Sequence, residues 1–226
     1  MKKVLLIALV LSFALVVPVS ATPSTIIWIP STDIQPANKT HLGIDNYFTA
    51  KPLASGQSTG AFTSPDYGLT WGGTNFEYGI DYIASQPSNP LYFNAKFNLL
   101  NNEASKVNIV AGVYNVGTSK ATNQEVKYVL TSKTISDGTR FALGYGVGRR
   151  EALGSDNKMI LASIDKQLND KWWVAVDYQG GKSALGATNV GFSYNFAPNA
   201  SVIFAYDIYN NKDYKNTITT QLDINF

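Results

Sequence analysis

The first candidates for chemistry in this chain are its histidine and its serine hydroxyls. His41 is the only histidine among 226 residues, and a Ser–His pair with a polar orienting group is the arrangement that activates a serine nucleophile. No serine stands at a recognisable spacing from His41, which in an extended segment would share its face with Gly43, Asp45 and Tyr47. We therefore interpret His41 as an ordinary polar side chain and predict no catalytic residue and no enzymatic activity.

The motifs that could bind a cofactor or a metal are incomplete. Gly180–Ser183 imitates the end of a phosphate-binding loop, but the glycine that such a loop requires five residues before Gly181 is replaced by Val176. With no cysteine and one histidine, the chain cannot build a His/Cys metal cluster. The sequence therefore predicts no cofactor and no metal site.

The remaining candidates are charged side chains at the polar positions of extended, alternating segments. Their chemistry depends on whether those segments close around a common interior, because walls or rings of charge select ions in a pore. The predicted inward-facing set is Asp45, Glu77, Asp81, Lys96, Lys127, Lys133, Arg140, Asp177, Asp207 and Asp223.

The elements that must position these charges are β-strands. In the last residues, Ile218, Leu222, Ile224 and Phe226 take one side of an extended strand while polar residues take the other, because successive side chains point to opposite faces. The same alternation is clear over 76–82, 91–99, 141–147, 189–196 and 202–208, and poor near 107–115 and 157–166. We predict twelve strands of about eight to ten residues, close to the length of a tilted membrane strand.

The connections between these segments fall into two groups. Short ones carry turn residues, as in Gly72-Gly73 and Ala197-Pro198-Asn199, whereas longer ones are polar, as over 210–213. Long and short connections broadly alternate, although 85–89 and 100–106 blur the pattern. Short turns at one rim and longer loops at the other are typical of outer-membrane barrels, which use an even number of strands.

The start of the chain has the pattern of an export signal. Lys2 and Lys3 precede an apolar stretch over 4–17, and a small-residue cleavage site follows at 19–21. We interpret 1–21 as a signal peptide; the alternative, a retained membrane helix, is disfavoured by the short apolar run. Without Lys2 and Lys3 the chain carries 16 basic and 16 acidic residues, and this balance predicts no nucleic-acid partner.

Residues 22–38 precede the first strand and have an unusual composition. Pro23, Pro30 and Pro36 exclude a regular central strand, while 26–29 is strongly apolar. The segment is either a periplasmic stretch lying against the barrel rim, which we favour, or a small plug that enters the lumen.

Together, the signal, the alternating strands, the unequal connections and the terminal Phe226 resemble those of the small, twelve-stranded, porin-like β-barrels of bacterial outer membranes. The resemblance implies an all-β, single antiparallel transmembrane barrel over 39–226, both termini periplasmic, and contact with outer-membrane lipid. It also implies that Phe226 belongs to the signal read by the barrel-assembly machinery. A soluble β-sandwich would also alternate, but it would bury its large aromatic residues on only one face of each sheet.

A barrel of twelve strands lies between those filled by side chains and those that enclose an aqueous channel. Inward glycines favour an open or gated lumen, and the predicted charges either set a field across it or pair and close it. We predict a channel for passive diffusion of small polar solutes or ions, modestly cation-preferring. The alternative is a closed barrel whose external loops bind a ligand or surface partner; an outer-membrane enzyme comes third.

Overall fold

The computed structural model describes residues 24–49, 52–56, 58–59 and 65–226. These residues form one closed barrel of 12 antiparallel strands, in which neighbours in the chain are neighbours in the sheet and the last strand pairs with the first. The predicted fold class and strand number are therefore confirmed.

The strands are short enough for a single tilted crossing of a bilayer. They are β1 (Thr40–Phe48), β2 (Asp66–Gly72), β3 (Phe76–Ile83), β4 (Leu91–Asn102), β5 (Val107–Gly117), β6 (Val126–Thr134), β7 (Arg140–Val147), β8 (Lys158–Gln167), β9 (Trp172–Gln179), β10 (Ala187–Ala197), β11 (Ala200–Tyr209) and β12 (Thr217–Asn225). One short helix, α1 (Arg150–Leu153), follows β7. No helix in the described part of the chain is long and apolar enough to cross a membrane.

The two rims of the barrel differ in the length of their connections. The turn rim carries 73–75, 103–106, 135–139, 168–171 and 198–199, and the loop rim carries 49–65, 84–90, 118–125, 148–157, 180–186 and 210–216. The predicted blurring near 100–106 disappears because β4 continues to Asn102 and leaves a tight turn. Long and short connections therefore alternate without exception around the barrel.

The outer face of the barrel is an apolar belt. Leu143 is 60% exposed and Ile160 is 53% exposed, and exposed apolar residues surround them on neighbouring strands. A contiguous apolar surface of this extent is typical of a face that contacts hydrocarbon. Large outward aromatic residues in the belt are Tyr67, Phe76, Tyr78, Tyr82, Phe93, Phe97, Phe141, Tyr145, Trp172, Tyr178, Phe192, Phe196, Phe204 and Tyr206.

Two strands alternate poorly in sequence for different physical reasons. The pairing of β4 with β5 shifts between Phe93 and Ala95 and again between Asn98 and Leu100, and such bulges break the two-residue period. In β8 the period is regular, but its inward Met159 and Leu161 are as apolar as its outward residues. An apolar interior hides the alternation on which the sequence prediction depends.

The chain ends at the turn rim beside the start of β1. The Thr40 amide donates to the Phe226 carbonyl at 2.8 Å, and the Phe226 amide donates back to Thr40 at 3.0 Å. The Phe226 side chain is 57% exposed, so it contributes little to packing. Its role as an assembly signal stays a prediction.

A charge placed on the apolar belt should destabilise the barrel. Because Leu143 points outward near the middle of β7, Leu143→Arg should cost about 2–4 kcal/mol of folding free energy, the cost of Arg near a bilayer midplane. Urea titration in lipid vesicles measures this value. Lys133→Arg, an outward change at the turn-rim end of β6, is the matched control and should cost about 0–1 kcal/mol. Equal stability of the two variants would contradict the lipid-facing register of β7.

Candidate functional site in the barrel lumen

Residues 24–35, here called the luminal segment, fold into a compact turn inside the barrel. Thr25 and Pro30 form an antiparallel bridge, and the Ile26 amide donates to the Ile29 carbonyl at 2.8 Å. The Ser31 amide closes the turn on the Ser24 carbonyl at 3.1 Å. Because the Ile27 amide donates to Asp177 of β9 at 2.9 Å, residues 24–35 lie among inward-facing side chains and not against the barrel rim, the position favoured from the sequence.

The apolar tip of the luminal segment packs in a core made by the barrel wall. Ile26, Ile27 and Ile29 are at most 2% exposed and Trp28 is 6% exposed. Burying each such side chain stabilises the arrangement by roughly 1.5–3 kcal/mol. The wall residues of this core include Val110, Val126, Tyr128, Leu130, Met159, Leu161, Ala175, Leu185, Ile203 and Tyr209.

The carboxylate of Asp177 on β9 binds the main-chain amides of the tip. Its Oδ2 accepts the amides of Ile27–Ile29 at 2.9, 2.8 and 3.2 Å. Consecutive amides that converge on one point form a nest that favours an anion. From the wall, Asn189 Nδ2 donates to the other carboxylate oxygen at 2.7 Å, and Gln221 Nε2 donates to the Ile27 carbonyl at 3.0 Å.

A buried ion pair holds the two arms of the luminal segment. Lys96 Nζ lies 3.1 Å from Glu77 Oε1, with both side chains at most 7% exposed. The same ammonium donates to the carbonyls of Ser24 and Ser31 at 3.0 and 3.3 Å, while the Gln35 amide donates to Glu77 Oε2 at 2.6 Å. Pairing and main-chain hydrogen bonds together offset the cost of burying two charges.

A third anchor lies nearer the turn rim on β6 to β8. Arg140 pairs with Asp33 of the luminal segment and, through Nε, with Asp165 Oδ1 at 3.0 Å. The hydroxyls of Thr32 and Ser132 lie 2.6 Å apart. The luminal segment is therefore attached to opposite sides of the wall.

An acidic patch covers the loop-rim half of β1 to β3. Asp45 lies directly across from Asp66, and Asp81 lies across from Gly68, two residues further along β2. Asn94 Nδ2 donates to Asp81 at 2.6 Å. These acids line a cavity of about 160 Å³ between the luminal segment and the inner faces of mainly β1 to β5.

Asp66 belongs to this patch and was missed in the sequence analysis. Its signal was present, because it precedes the inward-facing Gly68 by two residues and so shares its face. The apolar residues Tyr67, Leu69 and Trp71 alternate with Asp66, Gly68 and Thr70 in this strand.

His41 lies inside the lumen, 5% exposed. Its Nε2 is 3.0 Å from Asp223 Oδ1, and Ser201 donates at 3.4 Å to Asp223 Oδ2 and not to the imidazole. A serine whose hydroxyl binds the carboxylate is not activated by the histidine. Among the described residues, no group of three His, Cys, Asp or Glu side chains is placed to hold a metal ion.

The structure places most of the predicted lumen residues on the inner face. These are Asp45, Glu77, Asp81, Lys96, Arg140, Asp177, Asp207 and Asp223. Asp165, whose direction the sequence left uncertain, is also inward and 5% exposed.

The inward assignment of Lys127 and Lys133 is wrong. In β6 the buried positions are Val126, Tyr128 and Leu130, so the odd-numbered residues face outward. Lys127 is 71% exposed and pairs with Glu125 at 2.9 Å. Both lysines lie at strand ends, where a long side chain can place its ammonium in the polar boundary beyond the hydrocarbon. The apolar residues face inward here because they pack on the luminal segment.

This correction changes the charge of the lumen. Of the four Lys and Arg side chains predicted to face inward, only Lys96 and Arg140 do so within the described residues, and each is paired with an acid. The inward His41 also lies beside an acid, Asp223. The inner acids are Asp45, Asp66, Glu77, Asp81, Asp165, Asp177, Asp207 and Asp223.

Comparison with known proteins rests on structure. The sequence matches no protein-family model and is significantly similar to no curated protein. The barrel superposes on the KdgM porin in complex with disordered oligogalacturonate with a TM-score of 0.54 and 13% identity, over 83% of this chain and 99% of that one. The NanC porin gives 0.49 and 11%, over 83% and 98%. A triple mutant of the Rhodopseudomonas blastica porin gives 0.41 and 10%, over 72% and 55%. The first likeness shows that this chain has the fold of a small outer-membrane porin.

Removal of the buried ammonium should destabilise the protein strongly. Lys96→Met leaves Glu77 charged and buried without its partner, and such a change costs about 3–5 kcal/mol. The double variant Glu77→Gln/Lys96→Met should be more stable than Lys96→Met alone, because the orphaned charge is gone while an acceptor for the Gln35 amide remains. Urea unfolding in detergent micelles measures both. A double variant that loses the full sum of the two single effects would contradict the ion pair.

Proposed function

We propose that this chain is an outer-membrane channel through which small cations and small polar solutes diffuse passively, with the luminal segment as a plug that narrows it. The observation that carries the proposal is the cavity of about 160 Å³ that remains between the luminal segment and the wall, lined by Asp45, Asp66 and Asp81 among other residues. A closed structural barrel would gain stability by filling this space with side chains. Here three carboxyl groups border the space instead.

The charge of the wall supports a preference for cations. Among the described residues, eight inward acids face two inward Lys or Arg side chains, and both of these are paired with acids. Walls of one sign concentrate ions of the opposite sign in a pore. The cation preference predicted from the sequence was modest. Because Lys127 and Lys133 face outward, we propose a stronger cation preference.

The similarity in fold to the KdgM porin supports a channel, but the charge of the lumen does not support the same solute. The KdgM porin was seen with oligogalacturonate, which is a chain of carboxylates. A lumen whose unpaired charges are acidic repels such a polyanion. We therefore propose that this chain takes cationic or neutral solutes.

Orientation and partners follow from the barrel layout. Short turns are periplasmic in outer-membrane barrels, so the turn rim and both ends of the barrel domain would face the periplasm and the loop rim the outside. Residues 1–21 would be removed on export, and they lie outside the described residues. The partners would be outer-membrane lipid at the apolar belt and the assembly machinery at Phe226.

A second candidate function is a closed barrel whose loops at the loop rim bind a ligand or surface partner. The observation that favours it is the luminal segment itself, which fills the side of the lumen lined by β5 to β11. Conductance separates the two functions. Discrete steps in planar bilayers support the channel; silence of both the wild type and a variant with a weakened plug, despite stable insertion, supports the closed barrel.

The acidic patch should set ion selectivity. Each of three charges about 8 Å from a permeating ion attracts a cation and repels an anion by roughly 0.5 kcal/mol in water, so Asp45→Asn/Asp66→Asn/Asp81→Asn should lower the cation-to-anion permeability ratio roughly a hundredfold at low salt. Reversal potentials under a salt gradient measure the ratio. The effect should shrink as added salt shortens the Debye length.

The matched control removes acids from outside the lumen. Asp137 and Asp170 lie in turns at the turn rim, and Asp137→Asn/Asp170→Asn should leave the permeability ratio close to that of the wild type. Anion preference in the wild type would overturn the proposed selectivity. An unchanged ratio in the triple variant would place the conducting path away from the patch.

A further inference from the structure

We propose that the inner wall of the barrel forms a peptide-binding site, built around Asp177, Lys96 and Gln221, that holds the luminal segment as a displaceable plug. Release of residues 24–35 toward the turn rim would open the channel fully. This inference rests on the proposed function, because it assigns the regulation of the same lumen.

The wall recognises the main chain of the luminal segment. Asp177 accepts three consecutive amides, Gln221 donates to one carbonyl and Lys96 donates to two. Amides and carbonyls of a turn can reach such groups only when the peptide adopts this one conformation. The site therefore binds a folded turn and loses it when the turn unfolds.

The wall is also stable when the segment leaves. Each charged anchor has a second partner within the wall: Asn189 for Asp177 at 2.7 Å, Glu77 for Lys96 at 3.1 Å and Asp165 for Arg140 at 3.0 Å. Lys96 and Arg140 each keep a counter-ion, and Asp177 keeps the hydrogen bond from Asn189, which reduces the cost of leaving a buried charge without its partner. A permanent structural element would not need this duplicate pairing.

The point about which the segment would move lies at residues 36–39. Ala37 pairs with Gly72 in a parallel bridge, and the Gly72 amide donates to the Lys39 carbonyl at 3.2 Å. A Cβ at position 72 would stand 2.1 Å from the Gln35 carbonyl oxygen, so only glycine lets the chain pass this close. Residues 36–39 are thus fixed to the turn rim, and residues 24–35 extend from it into the lumen.

The apolar tip keeps the closed state dominant. Ile26–Ile29 would meet water on release, whereas in the lumen they are almost fully buried. Openings of the wild-type channel should therefore be rare and brief, and loss of an anchor should make them more frequent.

A reversible cross-link tests the movement in the full chain. The hydroxyls of Thr32 and Ser132 are 2.6 Å apart, and the chain has no native cysteine, so Thr32→Cys/Ser132→Cys should form one defined disulfide between the luminal segment and β6. Single-channel recordings would compare the oxidised and the dithiothreitol-reduced protein. Full openings should disappear on oxidation and return on reduction, while the single variants Thr32→Cys and Ser132→Cys should be insensitive to both reagents.

A second variant weakens the anchor without a cross-link. Asp177→Ala removes the acceptor of three amides and should raise the open probability at least about tenfold, since one such hydrogen bond to a charged group is worth a factor of about ten or more. Asp170→Ala is the matched control, because Asp170 is an exposed aspartate in a turn at the turn rim, outside the lumen. Its open probability should stay close to that of the wild type.

The outcomes separate this inference from the proposed function. Full openings that are equally frequent in the oxidised and reduced protein, or a disulfide that does not form, would overturn the plug and leave the channel intact. Stable insertion with no conductance in the wild type, the reduced double variant and Asp177→Ala would overturn the channel itself.

Discussion

The rest of this structure depends on the closure of one ring of backbone hydrogen bonds. A strand in hydrocarbon has no water to satisfy its amides and carbonyls, so β12 must pair with β1 and leave no open edge. Once the ring is closed, the outward side of every strand must be apolar, and the belt around Leu143 and Phe204 follows. The inward side is free of that requirement. The residues that distinguish this protein from other barrels therefore lie on the inner face, where polar, charged and apolar residues are all allowed.

The inner face of the barrel differs from a globular core in the volume that it encloses. It encloses too much space for wall side chains alone, and the luminal segment supplies a second layer. The apolar side of that layer packs against β5 to β11, whereas its other side leaves the cavity bounded by the acidic patch. One side of the lumen is thus packed like a protein interior, and the other side borders a cavity lined by acids. In the proposed channel, this asymmetry would decide what can pass more than the number of strands would.

The fold could be predicted because the membrane imposes a strict two-residue period on the outer face. The period was plain in β3, β10 and β12, and the connections followed from it. It failed in β6, where inward Tyr128 and Leu130 are more apolar than the outward lysines at the strand ends. The sequence left the luminal segment open between the barrel rim and the lumen, because its main contacts join residues far apart in sequence: Ile27 and Asp177 are separated by 150 positions. No local sequence pattern indicates such a contact. The position of Asp66 across from Asp45 likewise depends on the pairing of two strands.

The aromatic contacts of Trp28 have a consequence for how the barrel is assembled. Its ring lies edge-on to Tyr47 of β1 and to Tyr209 of β11, with centroids 6.0 and 5.4 Å apart. These strands flank β12, so one side chain from the start of the chain spans the seam where its two ends meet. The luminal segment therefore connects the strands on either side of β12. Closure of the barrel at β12 and docking of the luminal segment thus stabilise each other.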